Sequence, residues 1–71
     1  MPANSTPVDE LAADCRAKRE RAELVRTRLR LGEATYEQAA TAARDFCAAF
    51  DRYHRARFGK PKQLDYRAFL R

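Results

Sequence analysis

Seventy-one residues make one domain at most, near the size where a lone apolar core is only marginally stabilising. Fifteen Lys and Arg against ten Asp and Glu leave a net charge of +5, which favours acidic proteins, nucleic acid or anionic surfaces as partners without choosing among them. No apolar run approaches the ~20 residues of a membrane span, and one His, a Ser only at Ser5 and no glycine-rich phosphate loop leave no recognisable catalytic apparatus.

The composition points to an all-α fold. Fourteen Ala, twelve Arg and six Leu favour helix, while Ile is missing and Val occurs only at Val8 and Val25, so strand formers are scarce. Met1 to Pro7 lacks the basic start and apolar stretch of a signal peptide, and residues 1–5 read as a disordered leader. The expected setting is cytoplasmic, with Cys15 and Cys47 reduced.

Hairpin elements occupy 6–59. Thr6-Pro7-Val8-Asp9 offers an N-cap, a proline at the first helical position and an acid in the first turn, opening a helix over about 7–31. Gly32 can take the left-handed conformation that ends it. Thr35-Tyr36-Glu37-Gln38 has the form of a capping box and opens a second helix over about 36–58. Gly59 can cap that helix and Pro61 stops its continuation. A tail over 60–71 follows, in which Asp65 caps one last turn.

The apolar spacing agrees. Val8, Leu11, Cys15, Ala22, Val25 and Leu29 follow three- and four-residue steps, interrupted only by Lys18, and Tyr36, Ala39, Ala40, Ala43, Phe46, Cys47, Phe50, Tyr53, His54 and Phe58 form the answering stripe. A four-residue hinge sets an antiparallel register in which facing positions sum to roughly 67. Val25 and Leu29 then oppose the small residues of 39–43, and Phe46 opposes Ala22, large against small. The same register brings Asp9, Glu10 and Asp14 beside Arg52, Arg55 and Arg57, with Arg30 near Glu37 and Arg16 near Asp51.

That hairpin resembles the small helical-hairpin dimers of the ROP type, with a short local likeness at Ala56-Arg57-Phe58-Gly59. The resemblance implies completion as a four-helix bundle and contact with paired RNA loops; it transfers no functional residues. The SxxxD element of hairpin aspartyl-phosphate phosphatases is broken, with Cys47 in the place of the serine ahead of Asp51.

Two surfaces remain without an intramolecular purpose. Ala13, Ala17, Leu24 and Leu31 lie opposite the apolar stripe of the first helix, with Ala17, Leu24 and Leu31 spaced at sevens like a coiled-coil seam. The tail places Leu64, Tyr66, Phe69 and Leu70 beyond a proline break, where chain ends are normally frayed and polar; it either folds back over Val8, Leu11 and Phe58 at the open end or docks on a partner. Both features point to a small non-enzymatic protein–protein interaction module (an adaptor, regulator or accessory subunit) that binds another protein or a second copy of itself through Ala13, Ala17, Leu24, Leu31, Tyr66, Phe69 and Leu70. The alternative is a basic RNA- or DNA-binding regulator using Arg16, Arg19, Arg26, Arg30, Arg55, Lys60 and Lys62 on phosphates. No close-spaced ligand pair such as CxxC marks a metal site, and no cofactor, small-molecule substrate or membrane partner is expected.

Overall fold

Helix α1 (Pro7–Arg30), helix α2 (Tyr36–Phe58) and the short α3 (Tyr66–Leu70) make up the computed structural model, which describes residues 7–71. No strand occurs among these residues, and α1 and α2 pack as an antiparallel hairpin. The expected leader at 1–5 and the cap at Thr6 lie outside the described residues.

Each turn is closed by identifiable chemistry. At the end of α1 the Gly32 N–H donates to the Leu29 carbonyl at 3.1 Å and the Glu33 N–H to the Arg28 carbonyl at 2.7 Å. With Gly32 at φ +76°, this is the paired-bond ending that satisfies the last orphan carbonyls of a helix. Thr35 Oγ1 accepts from the Gln38 N–H at 3.1 Å, and Gln38 Oε1 accepts from the Thr35 N–H at 2.9 Å, completing the capping box. Gly59, at φ +73°, ends α2 with its N–H on the Arg55 carbonyl at 2.9 Å. His54 Nδ1 lies 2.8 Å from the Lys60 carbonyl, so that nitrogen carries the proton and ties the turn back to the helix.

The core has the expected register. Ala22, Ala42 and Phe46 are buried together, with Cys15, Val25, Cys47 and Phe50 packed around them. Across the interface Arg52 reaches Asp14 at 3.6 Å, while Lys18, the one polar residue in the stripe of α1, is held by Asp14 at 2.7 Å. Two expected pairs form otherwise. Asp51 pairs with Arg55 on its own helix at 3.4 Å rather than with Arg16, and Arg30 donates to the Arg71 carbonyl at 3.4 Å rather than to Glu37.

The tail folds back, but farther than the open end. Phe69 and Leu64 join the core beside Phe46, whereas Phe58 stays 57% exposed. Rise per residue explains the difference. Extended chain after Pro61 covers ~3.3 Å per residue against ~1.5 Å for helix, so 59–65 carries α3 past the end of α2 to its middle. No helix among the described residues is long and apolar enough to cross a membrane.

Candidate protein-binding surfaces

The back of α1 is open. Ala13, Ala17, Leu24 and Leu31 are all exposed, Leu24 at 52% and Leu31 at 66%. Exposed Glu20, Thr27 and Arg28 lie on the same side, so the leucines stand in a polar rim. Helical geometry accounts for this: residues seven apart return to within ~20° of one line, and that line is opposite the stripe packed on α2.

Tyr66, Phe69 and Leu70 are placed by α3 against the hairpin. The Phe69 ring lies 5.5 Å from Phe46, and the Arg26 guanidinium sits over the Phe69 ring at 4.8 Å. Arg26 Nη1 also donates to the Phe69 carbonyl at 3.0 Å. Arg30 holds the Arg71 carbonyl, so two arginines of α1 bind the carbonyls at the end of α3, where helix carbonyls lack partners and the dipole is negative. Tyr66 is stacked by Arg44 at 4.6 Å and accepts from its Nη2 at 3.1 Å. The hydrogen bond from Arg44, and then that from Arg67, holds the Tyr66 phenol below its ordinary range. Leu70 is partly buried. Arg26 and Leu24 lie about 160° apart around α1 at ~100° per residue, so the tail residues and the Leu24–Leu31 side do not form one surface.

The basic residues likewise divide. Arg26 and Arg30 hold α3, Arg55 pairs with Asp51, and Lys60 and Lys62 are exposed around the turn after α2. Arg16 and Arg19 are exposed on the same flank as Arg26 and Arg30, farther from the hinge. They rim a groove of about 370 Å³ whose other walls are Ala12, Cys15, Phe46, Phe50 and Tyr53. Both elements of this groove are legible in the sequence as an arginine flank and an aromatic stripe. What joins them is the packing of α1 on α2. The Arg44–Tyr66–Arg67 cluster escapes sequence reading, because Arg44 meets the other two only through the chain reversal after α2.

Burial pushes both the Cys15 and Cys47 thiols up, away from the reactive thiolate. Among the described residues no three His, Cys, Asp or Glu side chains converge. A larger groove of about 550 Å³ lies on the opposite side near the hinge, where Arg21 and Arg28 face Glu33, Glu37 and Asp45, a wall of mixed charge open to solvent. No protein-family model, curated protein or solved structure matches the chain.

Proposed function

We propose that this chain is a small non-enzymatic protein–protein interaction module, an adaptor, regulator or accessory subunit of the cytoplasm, whose contact surface is the back of α1. The observation that supports this reading is the exposure of Leu24 and Leu31 on a helix whose other side is already packed. Two large apolar side chains, Leu24 on α1 and Leu31 in the turn directly after it, are suited to a helix-packing contact with a partner or a second copy. Tyr66, Phe69 and Leu70 contribute to the same function indirectly, through α3, whose Phe69 packs on the core beside Phe46 and so completes the scaffold. Nucleic acid is the weaker partner class, because Arg26, Arg30 and Arg55 already have partners within the chain.

A Leu24→Arg, Leu31→Arg variant tests the reading. Both positions are exposed, so the hairpin is expected to keep its helix content by circular dichroism. Assembly size by sedimentation, or capture of the native partner after nuclease treatment, is expected to be lost. Unchanged assembly and capture would overturn the proposal, as would capture that disappears on nuclease treatment alone.

A further inference from the structure

The row Arg16, Arg19, Arg26 and Arg30 runs along one side of the hairpin, and the two ends of the row differ. At the hinge end, Arg26 and Arg30 hold the carbonyls of Phe69 and Arg71 while the Phe69 ring lies on Phe46. At the other end, Arg16 and Arg19 rim the groove floored by Ala12, Cys15, Phe46, Phe50 and Tyr53. Phe46 belongs to both halves, so the open groove continues the site that α3 occupies.

We propose that this open half docks a short acidic segment of another protein carrying one aromatic anchor. The occupied half supplies the pattern: an aromatic ring on the floor, with arginines over the adjoining oxygen atoms. Phe46 and Phe50 meet edge-on at 6.1 Å and Phe69 already packs on Phe46, so a further ring set against the half-buried Phe50 extends that cluster in favoured geometry. No carboxylate lines the groove. Arg16 makes no ion pair among the described residues, and Arg19 has only a loose one with Glu23 on its own helix at 3.8 Å. Guanidinium groups beside an apolar floor select carboxylates by paired, charge-assisted hydrogen bonds. A second copy's tail is a poor fit, since Asp65 is outnumbered there by Arg67 and Arg71. The surface is separate from Leu24 and Leu31, so the proposal shares only the class of partner with the function proposed above.

A random-peptide display library selected on the full chain, followed by fluorescence anisotropy of the enriched peptides, tests it. Enriched peptides are expected to combine Phe, Tyr or Trp with Asp or Glu. Arg16→Glu with Arg19→Glu is expected to weaken them by about tenfold or more, and Arg16→Gln with Arg19→Gln by less. Circular dichroism checks that these exposed substitutions leave the fold intact. Leu24→Arg with Leu31→Arg is expected to change the affinity less than about twofold, which separates this site from the back of α1. Enrichment of neutral or basic peptides, no enrichment at all, or affinity unmoved by the Arg→Glu pair would overturn the proposal. So would a single-stranded RNA oligomer that binds more tightly than the peptides and displaces them.

Discussion

Helices α1 and α2 are nearly equal in length, yet α2 buries Ala39, Ala40, Ala42, Ala43, Phe46 and Ala49 while α1 fully buries only Ala22. Position in the assembly explains the contrast. α2 packs against both α1 and α3, and its alanines let each neighbour approach closely. α1 has one extensive neighbour, so its stripe is half-covered and its back faces water. The buried alanines of α2 therefore mark the width of its packed face, and the exposed leucines mark where apolar area has no intramolecular use.

The sharpest way to break the contrast is Phe46→Ala, which removes the side chain that α1, α2 and α3 share. Loss of a buried Phe costs ~3–5 kcal/mol, and denaturant titration is expected to show the hairpin largely unfolded. Phe69→Ala should cost less, about 1–2 kcal/mol for a partly buried ring. Hydrogen exchange is expected to show protection lost in α3 and kept in α1 and α2, making α2 more like α1. Thr35→Ala removes the capping-box acceptor and should lower stability by ~1 kcal/mol, read as a lower thermal midpoint with α3 still docked.

A smaller effect concerns the ion pairs of Asp14, one to Lys18 within α1 and one across to Arg52 on α2. The hydrogen bond from Lys18, against some desolvation and with help from the charges of Lys18 and Arg52, holds the Asp14 carboxyl below its ordinary 3.8. Its folded value is the lower one, so the unfolded chain takes up the proton first. The contribution is complete above about pH 3.8 and is lost as pH falls through the folded value. Asp14→Asn is expected to flatten that part of the acid-unfolding curve, measured by ellipticity against pH. For exposed pairs the change is small.

Much of this contrast is legible in the residues. Caps at Thr35, Gly32 and Gly59 bound the helices, and the apolar steps with a short hinge set which residues of α1 and α2 face each other. Those signals are local or separated by one turn, where spacing alone determines geometry. The path of 59–65 is different. Pro61 tells that the helix stops, but the destination of Phe69 depends on a vacancy beside Phe46 that exists only once the hairpin has formed. The assignment of Arg26 and Arg30 to the tail followed from the same event, and with it the separation of the arginine row into an occupied and an open end.

The stretch from Gly59 to Asp65 also works as a tether of fixed reach. From Phe58 back to Arg44, where Tyr66 is held, α2 covers ~21 Å at 1.5 Å per residue. The eight steps from Phe58 to Tyr66 reach ~26–29 Å when fully extended, and part of that is consumed in reversing direction at Gly59. Little slack remains. Removing two residues between 60 and 64 would stop α3 short of Phe46, and inserting several would let the tail wander from its seat. Chain length, as much as side-chain fit, chooses where Phe69 lands.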